Sequence, residues 1–354
     1  MPVNTSRTTY REHTDTENIL KLRQVLSTLP AFCKDYFRAI DSTTTTKTRI
    51  SYAYDIRIFF QFLLDENPAF KNYAMTDFSV KVLDQIKAVD LEKYMEYLKV
   101  YQNGDKTETN GERGLKRKIS ALRSFYAYYY KREMIHTNPT VLIDVPKIHD
   151  KSIIRLDTDE VALLLDYIEH CGDSLTGQKR VYYEKTKERD LAIVTLLLGT
   201  GIRVSECVGL DIEDVDFKNN GIKVTRKGGN EMVVYFGEEV EKALKRYLEV
   251  RAGITPLAGH EHALFYSAQR KRMGVQAVEN MVKKYSRQIT TTKKITPHKL
   301  RSTYGTALYQ ETGDIYLVAD VLGHKDVNTT KKHYAALDDA RRRQAATAVR
   351  LRED

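Results

Sequence analysis

The sequence predicts a mostly α-helical protein of two domains, with a small antiparallel β-sheet in the second. A chain of 354 residues is long enough for two hydrophobic cores. Apolar residues recur at helical spacing in both halves, and strand-like alternation occurs at 221–236. A segment with two prolines and little helical period separates the halves. The predicted parts are a disordered N-terminus at 1–16, a helical domain at 17–136, a linker at 137–155 and a second domain at 156–354.

The composition indicates an anionic partner and a reducing compartment. Lys plus Arg exceed Asp plus Glu by 57 − 48 = 9, and the isoelectric point is about 9.1. The cysteines are widely spaced and form no CxxC pair, which argues against a disulfide framework and against a zinc site. The apolar run 191–199 suits a buried helix, and the N-terminus lacks the apolar region of a secretory signal. We therefore expect a cytoplasmic protein.

In the first domain, the predicted helices begin at 17–40, where Pro30 interrupts the apolar period. The Ser-Thr run at 42–45 offers N-caps for the next helix. Lys47 and Arg49 lie at its start, where the helix dipole favours a phosphate. A solvated cap on an ordinary bundle helix would look the same.

Further along this domain, a predicted helix at 91–100 precedes a polar loop at 102–114 and a helix that continues to 133. The aromatic run 125–130 is interpreted as core packing. Several cations on one helical turn can neutralise several phosphates, so the basic start of this helix is the stronger nucleic-acid candidate. Its members are Arg113, Lys116, Arg117, Lys118 and Arg123.

In the second domain, the long helix that includes 187–198 is stopped by a Gly-Thr-Gly sequence at 199–201. Arg203 and Glu206 follow directly. The alternation at 221–236 surrounds a Gly-Gly pair and predicts a hairpin with Lys227 at its tip. No GxxxxGK[ST] motif occurs, which excludes a P-loop NTPase.

The segment 296–335 supplies the remaining chemistry. Thr296 and Pro297 predict a helix start, which places His298 and Arg301 on one face of the first turn. This helix is predicted to run to Gly313, and a second helix is predicted to end at Gly323, which leaves His324 just beyond it. A third helix, beginning near 329, carries Tyr334.

These groups fit attack by a tyrosine on a DNA phosphodiester. Arg203 and Arg301 would clamp the non-bridging oxygens, and two histidines would add donors. Lys227 could protonate the leaving 5′ oxygen, and His298 is the nearest plausible acceptor of the phenol proton. Glu206 could orient a neighbouring cation. A tyrosyl phosphodiester keeps the energy of the broken bond, so rejoining requires neither ATP nor a metal.

Each residue alone has an ordinary structural explanation, as a surface charge, a solvated helix turn or a packed tyrosine. Their order is more specific. TG-x-R-x-SE, TRKGG, H-x-L-R, LGH and then Tyr resemble the tyrosine recombinase/integrase family over 158–340. KERDLAIVTLLLGTGIRVSE, VTRKGG and ITPHKLR look most like the Xer branch, especially the single-recombinase XerS type. By this resemblance the catalytic residues are Tyr334, Arg203, Lys227, His298, Arg301 and His324, with Glu206 as the acidic support.

The resemblance implies a C-shaped clamp on DNA, with the first domain as the core-binding domain. It implies site-specific strand exchange through a 3′-phosphotyrosine, without a cofactor, by a homo-tetramer on two DNA sites. The tail after Leu337 would dock on a neighbouring subunit. Ser302 departs from many relatives, which carry a second His there, and we expect altered packing rather than inactivity.

Several biological roles stay open. Xer-like chromosome-dimer resolution by a nucleoid-associated enzyme is favoured, because the first 40 residues are too short for the arm-binding domain of many element integrases. An integrase or excisionase of a phage or conjugative element is the alternative. A type IB topoisomerase or a non-catalytic DNA-binding protein would belong to other classes. The target sequence and the need for an accessory protein stay open.

Overall fold

The computed structural model describes residues 9–149, 153–226, 229–324, 326–328 and 330. The chain divides into two compact units, Met1–Asp150 and Lys151–Asp354. Both are mostly helical. The first unit contains α1 (Tyr10–Ser27), α2 (Cys33–Ala39), α3 (Thr46–Glu66), α4 (Val82–Gln85), α5 (Ala88–Tyr97), β1 (Val100–Asn103), β2 (Lys106–Thr109) and α6 (Glu112–Tyr130).

An aromatic core holds the first unit together. Helix α3 packs against α1 and α6. The rings of Phe60 and Phe125 lie 6.3 Å apart, and those of Phe125 and Tyr129 lie 5.0 Å apart, both edge to face. Phe125, Tyr126 and Tyr129 are buried, which confirms that most of the aromatic run on α6 is core.

The N-terminal boundary differs from the prediction, because residues 10–16 are helical rather than disordered. A reciprocal capping box starts α1 at this point: the backbone N–H of Thr9 donates to Glu12 Oε2 at 2.7 Å, and that of Glu12 donates to Thr9 Oγ1 at 3.3 Å. Asp15 accepts a hydrogen bond from Thr46 Oγ1 at 2.7 Å, which fastens the first turns to α3. These polar contacts order a segment that has no apolar periodicity.

The prediction of a polar loop at 102–114 is also wrong in part, because the first half of this segment belongs to a β-hairpin. Strands β1 and β2 pair antiparallel from Val100↔Thr109 to Asn103↔Lys106, and Gly104 turns with φ 61°. Only Tyr101 of the strand residues is buried. The hairpin therefore carries no apolar alternation from which the sequence could predict it.

The start of the predicted linker packs on the first unit. Ile143 is buried in its core, and Arg123 on α6 donates to the carbonyls of Thr140 at 3.0 Å and Ile143 at 2.8 Å. Residues 137–143 therefore extend the first unit.

The second unit is built around one long helix. Its described α-helices and β-strands are α7 (Thr158–His170), α8 (Gly177–Thr200), α9 (Val204–Gly209), β3 (Val215–Asp216), β4 (Gly221–Thr225), β5 (Glu231–Tyr235), α10 (Glu238–Ala252), α11 (Val275–Ile289), α12 (Pro297–Thr312) and α13 (Ile315–Leu322). Helix α8 packs against α7, α10 and α12. The residues Leu191 to Leu197 are all buried, which confirms that the longest apolar run is a core helix. No helix among the described residues is long and apolar enough to cross a membrane.

The small sheet confirms the predicted hairpin. Strands β3, β4 and β5 pair in that order, all antiparallel, and the last pair of the hairpin is Thr225↔Glu231. On β4 the side chains of Ile222 and Val224 face the core, while Lys223 and Thr225 face solvent. The next inward position is residue 226.

In the described part of the second unit, three helices end at glycines in the left-handed conformation. Gly313 ends α12 and Gly323 ends α13, as predicted, whereas α8 continues through residue 199 and is capped by Gly201. A Cβ on Gly201 would lie 2.3 Å from the Tyr304 ring and 2.9 Å from Leu322 Cδ2. This close approach brings the end of α8 against α12 and the end of α13.

Candidate active site

Arg203 lies just beyond the end of α8, as the N-cap residue of α9. Its Nη1 donates to Glu206 Oε1 at 2.8 Å, and its backbone N–H donates to Glu206 Oε2 at 2.8 Å. Its Nη2 donates to the carbonyl of Gly323 at 3.3 Å. The Arg203 side chain is 34% exposed, whereas that of Glu206 is 4% exposed. The buried carboxylate therefore orients a guanidinium that keeps an edge towards solvent.

Arg226 is a second cation on the same carboxylate. Its Nη1 donates to Glu206 Oε2 at 3.2 Å, and its Nη2 donates to the Val321 carbonyl at 2.8 Å. Arg226 was not among the predicted site residues. The sequence does carry a signal for this residue. Arg226 continues the alternation in which Ile222 and Val224 face the core, and a buried arginine requires partners.

Arg301 occupies the first turn of α12 and is 4% exposed. Its Nη1 donates to the Gly201 carbonyl at 2.5 Å, and its Nη2 donates to the Leu322 carbonyl. His298 lies three residues earlier and is exposed. The sequence-predicted pair thus combines a buried guanidinium with an imidazole at the surface.

The three arginines converge on the C-terminal end of α13. The carbonyls of Val321, Leu322 and Gly323 accept from Arg226, Arg301 and Arg203, respectively. These carbonyls have no partner within the helix, and the helix dipole places negative charge at this end. Three guanidiniums and one carboxylate give a formal charge of 3 − 1 = +2. The cluster is suited to bind an anion.

His324 follows directly after this helix end. Its backbone N–H donates to the Ala319 carbonyl at 2.9 Å, and its Nδ1 lies 2.7 Å from Thr330 Oγ1. Thr330 is fully buried. The hydroxyl therefore helps to fix the imidazole. Nothing in the sequence indicates this role, because the threonine has no distinctive spacing here.

Ser302 is buried beside this site and bonds within its own helix. Its Oγ donates to the His298 carbonyl at 3.1 Å, one turn back. The next residue, Thr303, accepts the backbone N–H of Leu156 at 3.0 Å. The first turns of α12 are thus tied to the chain that enters the second unit.

The structure brings together Arg203, Glu206, Arg301 and His324 through the contacts at α8, α9 and α13. Lys227 and Tyr334 lie outside the described residues. Among the described residues, no group of three or more His, Cys, Asp or Glu could hold a metal ion.

The basic residues of α6 differ in their partners. Asp55 on α3 is 2% exposed in its side chain and accepts from Arg117 Nη2 at 2.8 Å. Lys118 Nζ lies 3.6 Å from the same carboxylate. Burial raises the pKa of Asp55 against the opposing effect of both cations, and burial lowers the pKa of Lys118. Both cations therefore neutralise a buried charge of the fold.

Of the other predicted basic residues, two have partners within the protein and three are exposed. Arg49 forms an ion pair with Asp41, and Arg123 binds the carbonyls of residues 140 and 143 described above. Lys47, Arg113 and Lys116 are exposed. These three have the accessibility that a contact with an external phosphate requires.

Comparison with known proteins identifies the family. Residues 155–341 match the phage integrase family. The tyrosine recombinase XerC of Caldanaerobacter subterraneus subsp. tengcongensis is 33% identical over 328 residues, which cover 90% of this chain and 86% of that protein. The tyrosine recombinase XerS of Lactococcus lactis subsp. cremoris is 31% identical over 340 residues, which cover 89% and 93%.

A solved structure shares the fold. The XerH site-specific recombinase bound to difH substrate, in a pre-cleavage complex, superposes with a TM-score of 0.59 at 21% identity, covering 85% of this chain and 78% of that one. The match to the family spans the arginines, the carboxylate and the histidines of the site. The chain therefore belongs to the phage integrase family and is a tyrosine recombinase, an enzyme that breaks and rejoins DNA strands.

Proposed function

We propose that this recombinase exchanges DNA strands at a specific site through a 3′-phosphotyrosine on Tyr334. The observation that carries the proposal is the cluster of three arginines at the C-terminal end of α13, two of which bind the Glu206 carboxylate, with its excess positive charge and the solvent-facing edge of Arg203. Guanidinium groups match the non-bridging oxygens of a phosphodiester. Such a cluster stabilises the charge that those oxygens carry in the transition state.

The cleavage step balances without a further reactant. The phenol oxygen of Tyr334 forms a bond to phosphorus, and the bond from phosphorus to the 5′ oxygen breaks. His298 accepts the phenol proton, and Lys227 protonates the 5′ oxygen. Arg203, Arg301 and His324 donate to the non-bridging oxygens. Reversal of the same step by another 5′ hydroxyl rejoins the strands, because the phosphotyrosine conserves the bond energy.

The first unit is proposed to hold the DNA backbone through Lys47, Arg113 and Lys116. These exposed cations lie at the starts of α3 and α6. The other four basic residues of the predicted set have partners within the protein, and they would act by holding those helices in place. Backbone contacts of this kind fix position and orientation, not sequence.

For the biological role we propose chromosome-dimer resolution on the nucleoid, as a homo-tetramer on two DNA sites with the tail after Leu337 docked on a neighbouring subunit. The likeness to XerC and XerS proteins over about nine-tenths of the chain supports this role. Integration or excision of a mobile element is the second candidate. The fold of a Tn1549 transposon integrase bound to circular intermediate DNA superposes with a TM-score of 0.62 at 21% identity, covering 88% of this chain and 98% of that one.

Mapping the cleaved DNA in the host genome separates these roles. A single chromosomal site near the replication terminus supports dimer resolution, whereas cleavage at the ends of a mobile element supports integration. Relaxation of plasmids without site preference would instead indicate a topoisomerase.

The nucleophile is tested with Tyr334→Phe on a nicked suicide substrate built from the mapped site. The wild-type chain should form a covalent protein–DNA adduct, and the variant should form none, because it lacks the attacking oxygen. Tyr316→Phe is the matched control, since Tyr316 is a 71% exposed tyrosine on α13. Adduct formation by Tyr334→Phe would contradict the assignment.

A further inference from the structure

Arg226 combines features that a surface cation of a hairpin would not have. It directly follows β4 on the core face of the sheet and is 8% exposed. Its backbone N–H donates to the Asn230 carbonyl at 2.8 Å, and its carbonyl accepts from Gly229 N–H at 3.0 Å. The main chain of Arg226 is therefore fixed by the hairpin, while its side chain reaches into the site.

The guanidinium of Arg226 connects parts of the chain that are far apart in sequence. One nitrogen, Nη1, donates to Glu206 Oε2 at 3.2 Å and to the Leu322 carbonyl at 3.3 Å. The other, Nη2, donates to the Val321 carbonyl at 2.8 Å. The planar group thus holds the carboxylate that orients Arg203 against the end of α13.

Gly323 shows how closely this contact is fitted. A Cβ at residue 323 would lie 3.0 Å from Arg226 Nε and 3.1 Å from Cζ, and Gly323 has a φ of 61°. The guanidinium therefore packs on the backbone of the residue that precedes His324 and whose carbonyl accepts from Arg203. A shift of Arg226 would move both His324 and the carbonyl that accepts from Arg203.

The position of Arg226 also carries an energetic cost. Its Nε is buried and has no hydrogen-bond acceptor among the described residues. A buried donor without an acceptor is unfavourable, and apolar side chains can often replace a buried ion pair without loss of stability. An arginine in this position therefore points to a role beyond packing.

We propose that Arg226 is a positioning residue of the strand-transfer reaction, which holds Glu206 and the end of α13 so that Arg203 and His324 face the non-bridging oxygens of the scissile phosphate. This inference rests on the proposed function. Arg226 acts through Glu206 and α13 and does not touch the DNA. Its loss disorders the oxygen-binding groups and leaves leaving-group protonation by Lys227 unchanged.

Altered substrates distinguish a loss of oxygen binding from a loss of leaving-group protonation. A methylphosphonate at the scissile position removes one negatively charged non-bridging oxygen, so the arginine groups are needed less. A 5′-bridging phosphorothiolate has a leaving group that needs no proton, so it compensates only for a loss of general acid. Comparison of both with the ordinary phosphodiester locates the step that Arg226 supports.

The experiment measures single-turnover adduct formation by full-length protein with enzyme in excess. Arg226→Met should react about 100-fold more slowly on the phosphodiester, as expected for a misplacement of about 1 Å in the oxygen-binding groups. The loss should shrink to less than about 10-fold on the methylphosphonate and stay near 100-fold on the phosphorothiolate. Arg226→Lys should be intermediate, because one ammonium cannot reproduce the planar fork.

Arg251→Met is the matched control. Arg251 binds the carbonyls of Glu261 and Ala263 at 2.9 and 2.8 Å in the same unit. This variant should lose thermal stability without any difference among the three substrates.

Three outcomes would overturn the inference: an unchanged rate for Arg226→Met, an equal loss on all three substrates, or rescue by the phosphorothiolate alone. All three are read against wild-type protein that forms the Tyr334 adduct. Absence of that adduct in the wild type would reject the proposed function itself.

Discussion

The buried carboxylate of Glu206 offers the sharpest test of the site, through Glu206→Gln. The carboxylate accepts three hydrogen bonds, two from Arg203 and one from Arg226. A glutamine keeps the shape but has one acceptor oxygen, so at least one donor faces the amide NH₂ group instead. The two guanidiniums also lose the negative charge between them.

The expected cost follows from the burial of these groups. A hydrogen bond to a charged group contributes about 1.5–3 kcal/mol, and removing one member of a buried ion pair costs about 3–5 kcal/mol. The Arg203 side chain is one-third exposed, so solvent screens its contribution to stability. The side chains of Glu206 and Arg226 are at most 9% exposed. We expect the free energy of unfolding of the second unit to fall by about 2–4 kcal/mol.

Urea unfolding followed by far-UV circular dichroism measures this change, with hydrogen exchange of α9 and α13 to assign the transition. Glu238→Gln is the control, because the Glu238 side chain is 84% exposed beside Lys242. The control should change the unfolding free energy by less than about 0.5 kcal/mol. The reasoning fails if Glu206→Gln is no more destabilising than this control.

Two further predictions concern the packing around the site. Gly201→Ala should lower the unfolding free energy by about 2–4 kcal/mol, because its φ of 62° disfavours a side chain and the added Cβ meets Tyr304. Gly177→Ala, with φ 56° and open space, should cost only about 1 kcal/mol, and equal costs would refute the contact. Burial raises the pKa of the Cys207 thiol to about 12. Folding therefore favours the neutral thiol, and this contribution to stability is complete below the ordinary pKa and is lost as the pH rises through about 12. Iodoacetamide at pH 8 should label Cys207 only in denaturant, and labelling of the native protein would contradict the prediction.

Local signals in the sequence were sufficient for several elements. Thr296 and Pro297 predicted the start of α12, and the glycines at 313 and 323 predicted where α12 and α13 end. The same helix start placed His298 and Arg301 on one turn. These features depend on backbone preferences of a few neighbouring residues, so they can be read without tertiary contacts.

Contacts between distant segments could not be predicted in this way. The hydrogen bond between Arg226 and the Val321 carbonyl joins residues 95 positions apart. A main-chain acceptor has no sequence signature, so nothing near Val321 indicated the contact. The cations of α6 show the same limit: their clustering predicts an anion but does not distinguish a DNA phosphate from the carboxylate of Asp55, 62 positions before Arg117.

The use of main-chain carbonyls at the end of α13 has a consequence for how this enzyme can vary. Every amino acid supplies a carbonyl, so the side chain of Val321 is free to change without loss of its hydrogen bond to Arg226. At Gly323 both the backbone angle and the packed guanidinium exclude a side chain. A saturation-mutagenesis map should therefore show a tolerant position two residues before an intolerant one, so that the helix end is specified by its shape more than by its chemistry.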